Sequence, residues 1–286
     1  MAGGINDFLG ELGERANKDL REKVDVREVD DFPEKDEVSS DRIWLRIDDV
    51  VAVVADLKNS TALSFKKHPQ TSAKLYEAVT GNCTRIVSRF DADFVDIQGD
   101  GLFALYHGER AYERALCAGI TLKTFGQKQL VPAIEGWEQR GDQFPETGLK
   151  VGTHSGVLAV KRVGVKSRTH EWKEPVWAGR PVNWAFKCAQ RADAHQLVCT
   201  QSVYGKFENN DYVTHSCGCG FGDTPSAPSN AIWNNIDMQG KLPADKAPTK
   251  VLLSSWCVEH GDEFCEAILN GETDREDVTF SGFGAV

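Results

Sequence analysis

Residues 50–55, Val-Val-Ala-Val-Val-Ala, run through six apolar positions with no polar alternation. Small and β-branched side chains in an unbroken run describe a strand buried on both faces. Such a strand has to be covered twice, which selects layered α/β architectures with helices packed on a sheet. The run ends on Asp56, and Asn59-Ser60-Thr61 then offer capping side chains ahead of an apolar-periodic segment. Asp56 therefore stands at the C-terminal end of a core strand, just before free backbone N–H groups. A carboxylate there suits a hard cation, and a helix start suits phosphate.

A second stretch, residues 93–106, places Gly99-Asp100-Gly101 between two β-type runs (Phe94, Val95, Ile97 and Leu102, Phe103, Leu105, Tyr106). That is a hairpin with Asp100 at its tip. Asp-Gly is ordinary turn chemistry, and a tip carboxylate is also a metal ligand. Two aspartates at two adjacent strand ends suit a two-metal clamp on a reacting phosphate.

Further along, strands alternate with helices. Helices are expected over Thr61–Phe65 and Thr71–Phe90, separated at His68-Pro69, and over Glu109–Lys128. Gly148–Val160 reads as a strand that pairs onward through Val163-Gly164. Val182–Ala194 reads as a helix, Gln196–Thr200 as a strand and Gln201–Phe207 as a short helix. Ile232–Met238 and Lys250–Trp256 read as a closing strand pair, and Gln129–Pro145 as a surface connection. The sum is an α/β (α+β) fold with a mixed central sheet, mixed because of its hairpins.

Four motifs in order resemble the catalytic domain of class III nucleotidyl cyclases. They are Asp56-Leu-Lys-Asn-Ser60, the Gly99-Asp100-Gly101 hairpin, Gly148-Leu-Lys-Val-Gly-Thr-His-Ser-Gly156 and Gly179-Arg-Pro-Val-Asn183-Trp-Ala-Phe-Lys187. The match covers roughly residues 44–256, leaving an N-terminal helical arm over 1–43 and a Cys/His-bearing tail over 257–286. The resemblance implies a ferredoxin-like core and a head-to-tail homodimer with composite sites. It also implies two Mg²⁺ or Mn²⁺ ions per site held by Asp56, Asp100 and the carbonyl of Leu57. By the same resemblance Asn183 orients the ribose and Lys250 binds the terminal phosphates, with Ser60 and Thr61 near the substrate. Where the family carries arginine this chain has Lys187. Lysine brings charge without a planar fork. Arg191, at i+4 on the same helix face, is expected to share the transition-state charge.

The base-selecting positions depart from both purine patterns. Asp96 replaces the adenylate cyclases' lysine and the guanylate cyclases' glutamate, and Val176 replaces a typical aspartate. A short acid accepts from N3–H of uracil and cannot accept from N3 of cytosine, although it can take the exocyclic amine. The pattern looks like the bacterial pyrimidine cyclases of the Pycsar antiphage systems. The resemblance implies a pyrimidine triphosphate converted to its 3′,5′-cyclic monophosphate and diphosphate, a messenger read by a separate effector protein, and Asp96 favours UTP and cyclic UMP. Cyclic CMP, cyclic AMP and a nucleotide-sensing domain without turnover are the alternatives.

Composition narrows the partners. A formal net charge of −10 argues against broad nucleic-acid or anionic-membrane binding. No apolar run reaches spanning length, so a cytoplasmic protein is expected. Residues 5–24 carry an amphipathic stripe of Ile5, Phe8, Leu9, Leu12, Ala16 and Leu20. This helix is expected to pack on its own domain or a partner subunit, or else to form a solvated arm. Cys83, Cys117, Cys188 and Cys199 sit in apolar surroundings as buried thiols. His215, Cys217, Cys219, Cys257, His260 and Cys265 offer soft ligands near zinc-like spacing without matching a standard finger. Reduced thiols are the expected state there and a structural zinc the alternative.

Overall fold

The computed structural model describes residues 4–34, 37–38, 42–64, 69–137, 145–166, 169–219, 226–243 and 249–281. Two compact units emerge: residues 1–29, 33–46 and 159–177 in one, and 30–32, 47–158 and 178–286 in the other.

The larger unit holds the sheet. Its strands follow the order β3 (Phe94–Gln98), β4 (Gly101–Tyr106), β2 (Ile43–Leu57), β5 (Leu149–Lys166), β7 (Gln196–Thr200), β9 (Thr249–Leu252) and β8 (Trp233–Asn235). β2 and β3 both run antiparallel to β4, β5 runs parallel to β7, and β9 runs antiparallel to β7 and β8. Val50 to Val54 are all fully buried, as the unbroken run requires.

Each face of the sheet is covered. On one, Val51, Val53, Leu102, Ala104, Val151 and Leu197 join a core with α3 (Pro69–Arg89) and α4 (Ala111–Phe125). The stripes Leu75, Val79, Cys83, Val87 and Ala111, Ala115, Leu116, Ala118, Leu122 lie in it, as their spacing predicts. On the other face lies α6 (Arg180–Arg191), whose Cys188 packs with Val198 and Val251. Gly152 is what lets it sit there. A Cβ on Gly152 would come within 2.2 Å of the Ala185 carbonyl oxygen and 2.3 Å of the Ala189 nitrogen. Burial of all four isolated cysteines also matches the sequence reading.

Several boundaries differ from expectation, each for a local reason. Pro69 opens α3 instead of merely separating two helices, because proline fits a first helical turn. The shorter helix is α2 (Ser60–Ser64), and His68 lies outside the described residues. The expected connection after residue 129 is instead helical at first: a π-turn, Gly126–Leu130, leads into α5 (Val131–Glu135), with Leu130 and Ile134 buried. α7 (Gln201–Tyr204) ends three residues short of the expected Phe207, and β8 and β9 are shorter than predicted. Tail helices α9 (Gly261–Asn270) and α10 (Glu276–Ser281) went unpredicted, and α8 (Asp211–Thr214) is a single turn.

In the smaller unit, β1 (Asp25–Glu28) pairs in parallel with the first residues of β2, Asp25 opposite Ile43. The end of β5 pairs with β6 (Glu171–Gly179), a strand the sequence did not reveal. α1 (Ile5–Arg21) has no buried residue; Ile5 is 68% and Leu20 86% exposed. The stripe thus forms a helix, and its apolar face is open. Among the described residues no helix is long and apolar enough to cross a membrane.

Candidate active site

Register brings the two aspartates together. Ala55 pairs with Leu102 across β2 and β4, so the next position sets Asp56 beside the start of the Gly99-Asp100-Gly101 turn. A Cβ on Gly101 would lie 2.5 Å from the Ala55 carbonyl oxygen and 3.3 Å from the Asp56 Cα. Only glycine permits that approach. Asp100 Oδ2 is buried and makes no hydrogen bond among the described residues. A carboxylate oxygen held dry without a donor is costly unless something cationic joins it. Asp56 is half-exposed, and Lys150 Nζ lies 2.6 Å from its Oδ2. Asp56, Leu57, Ser60, Thr61 and Lys150 line one open cleft of about 540 Å³. Two hard carboxylates thus stand on adjacent strand ends, Asp56 in the cleft and Asp100 on the neighbouring turn, residue types that fit Mg²⁺ or Mn²⁺.

Alternation along the strands sorts the remaining residues by face. Phe103 pairs with Val54 and with Asp96, so Asp56, two residues on from Val54, shares its face with Asp96 and Phe103. Phe103 packs edge-on against Phe186 of α6 at 6.1 Å between ring centroids. Asn183 and Lys187 flank Phe186 on that helix, one turn apart, and Asn183 Nδ2 donates to the Gly179 carbonyl at 3.0 Å. Asp96 accepts from Gln98 Nε2 at 3.1 Å. Asp56, Asp96, Asn183 and Lys187 therefore belong to the α6 face of the sheet.

Three predicted residues stand apart. Lys250 lies opposite Cys199, on the α4 face, with its ammonium 5.3 Å from the Tyr204 ring centre. Strand parity turns it away from Asp56 and Asp96. Arg191 follows Lys187 by one turn, but its Nε donates to the Asp237 carbonyl at 2.6 Å, tying α6 to the segment after β8. Val176 is in β6 within the smaller unit and is 42% exposed.

The third motif explains itself in packing. His154 is buried, its Nδ1 2.8 Å from Thr200 Oγ1 and 3.1 Å from Ser202 Oγ, with Trp184 of α6 over its ring at 4.6 Å. Burial, then the Arg180 guanidinium, pushes the imidazole down to about 4. It is a neutral brace under α6. Lys150 is the residue sequence reasoning missed; its signal was position, at the start of a strand beside the one carrying Asp56.

No family model matches the chain. It is 48% identical over 240 residues to a uridylate cyclase of Micromonospora echinofusca, spanning 83% of this chain and 75% of that one. It is 43% identical over 275 residues to a uridylate cyclase of Propioniciclava tarda, spanning 95% and 86%. The chain belongs to the uridylate cyclase family. Solved structures agree on the fold. The adenylyl cyclase CyaB of P. aeruginosa superposes with a TM-score of 0.54 at 15% identity, covering 74% of this chain and 96% of that one. The guanylate cyclase domain of RhGC from Catenaria anguillulae, in complex with GTP, gives 0.52 at 13% identity, covering 73% and 98%. This uridylate cyclase family member is thus a nucleotidyl cyclase with the class III catalytic fold.

Proposed function

We propose that the enzyme converts UTP to 3′,5′-cyclic UMP and diphosphate. The ribose 3′-oxygen attacks the α-phosphorus, the bond to the bridging oxygen breaks, and the hydroxyl proton is lost. The observation that carries this reading is the close approach of the Gly101 backbone to Asp56, which sets Asp100 and its buried oxygen, without a hydrogen bond among the described residues, on the turn next to the strand end that opens into the cleft. Asp56, Asp100 and the Leu57 carbonyl would hold two Mg²⁺ or Mn²⁺ ions. Such ions lower the cost of the alkoxide and of the triphosphate charge. Lys150 competes for the same Asp56 oxygen and fixes that side chain toward the cleft. Ser60 and Thr61 offer hydroxyls along it.

Asp96 reads the base, accepting from uracil N3–H, and Val176 offers an apolar wall. Asn183 orients the ribose and Lys187 supplies positive charge; Arg191 shares in this once it leaves the Asp237 carbonyl. The geometry does not favour Lys250 for the phosphates. Residues 44–256 are the catalytic domain, with 1–43 as an arm and 257–286 as a tail. Two copies pair head to tail, so that the aspartates of one meet the α6 residues of the other. The product is a second messenger made in the cytoplasm against phage and sensed by a separate effector. Incubating the purified enzyme with each of four nucleoside triphosphates and Mn²⁺ tests the substrate. Cyclic product chiefly from UTP is expected; product chiefly from CTP or ATP overturns the assignment to Asp96.

A further inference from the structure

Two chain segments far apart in sequence meet in the larger unit. Cys217, Cys219, Cys257 and His260 bring one ligand atom each to within 4.8 Å of the other three. We propose that these four residues bind a structural zinc ion that clamps the tail onto the cyclase domain.

The two sulfur–nitrogen distances are those of a tetrahedral site. With Zn–S near 2.3 Å and Zn–N near 2.05 Å, a tetrahedron has S···N edges of about 3.5 Å. His260 Nδ1 stands 3.3 Å from Cys219 Sγ and 3.6 Å from Cys257 Sγ. Nδ1 is therefore the ligating nitrogen. The backbone amide of His260 also donates to Cys257 Sγ at 3.0 Å, the kind of contact that supports a thiolate ligand. Cys219 Sγ faces Glu259 Oε2 at 3.3 Å as well.

The scaffold around the cluster is built to hold it. Gly218, between the first two cysteines, has φ +76°, which favours glycine and lets both thiols turn inward. Its carbonyl accepts from the Ser226 amide at 2.7 Å, closing that loop. On the other side Cys257 and His260 precede α9 directly, and α9 buries Phe264 and Ile268. The other two soft residues of the region stay apart from the cluster. His215 Nδ1 meets Thr214 Oγ1 at 3.0 Å, and the Cys265 thiol is outside the group of four. Four protein ligands with no open position describe a structural site and not a catalytic one. Soft sulfur donors separate it from the hard carboxylates of Asp56 and Asp100.

The test uses the full chain, purified under reducing conditions without added metal. Elemental analysis should find stoichiometric zinc, retained when a mild chelator removes Mg²⁺ and Mn²⁺ and retained in the Asp100→Ala variant. Cys219→Ser and His260→Ala should lose most of it and melt on the order of 10 °C lower. Should those variants fail to fold, cobalt exchanged into the wild-type chain serves instead. It should give thiolate charge-transfer bands and intense tetrahedral d–d bands. Folded, reduced wild-type protein that carries no zinc and gives no such bands with Co²⁺ would overturn the proposal.

Discussion

His154 is a buried imidazole held neutral, and that has a measurable sign. In an unfolded chain histidine takes its proton near pH 6.5; in the fold it resists until about 4. The unfolded state therefore binds the extra proton first, and stability is lost as pH falls through that window. The loss amounts to at most about 3 kcal/mol. Denaturant unfolding at pH 7 and pH 4.5 should show a smaller acid loss for His154→Asn than for the wild type. Equal losses would mean that His154 is not the titrating brace. The motif spelled out this histidine, and only the structure showed that it packs under Trp184 of α6. Lys150 was hidden for the converse reason: it falls on one of the motif's variable positions, and its partner lies 94 positions back in the chain (150 minus 56).

Elements were legible where hydrophobic period was strong. β2, the hairpin, α3, α4 and α6 all follow from runs and stripes in the sequence. β6 escaped because Pro175 interrupts it and its face is largely exposed, so alternation had little to report. α9 does carry Phe264, Ala267 and Ile268 at helical spacing, but the neighbouring cysteines drew the reading toward a tail. Arg275 completes that region. It is buried, donating to the His215 carbonyl at 3.2 Å and the Ser216 carbonyl at 3.1 Å, which no local pattern could foretell. An exacting contact between elements is Gly152 against α6. Gly152→Ala puts a methyl into the backbone of α6, which cannot yield without lifting Asn183 and Lys187. A cost of roughly 3 kcal/mol or more follows, and thermal melting should fall by about 10 °C. An unchanged melting temperature would show that α6 sits higher than described.

At the scale of the whole molecule, one copy sets Asp56 and Asp100 on adjacent strand ends and displays Asp96, Asn183 and Lys187 on the α6 face. A head-to-tail pair would join the aspartates of each copy to the α6 residues of the other. The sequence indicated this only through resemblance, since an interface between identical chains leaves no periodicity of its own. Mixing two inactive variants tests it most directly. Asp100→Ala and Asn183→Ala should each fail to cyclise UTP alone while melting like the wild type. Refolded or co-expressed together, they should form some dimers with one intact site, recovering about a quarter of wild-type activity. Full activity in either variant alone, or a mixed dimer that stays dead, would contradict the account.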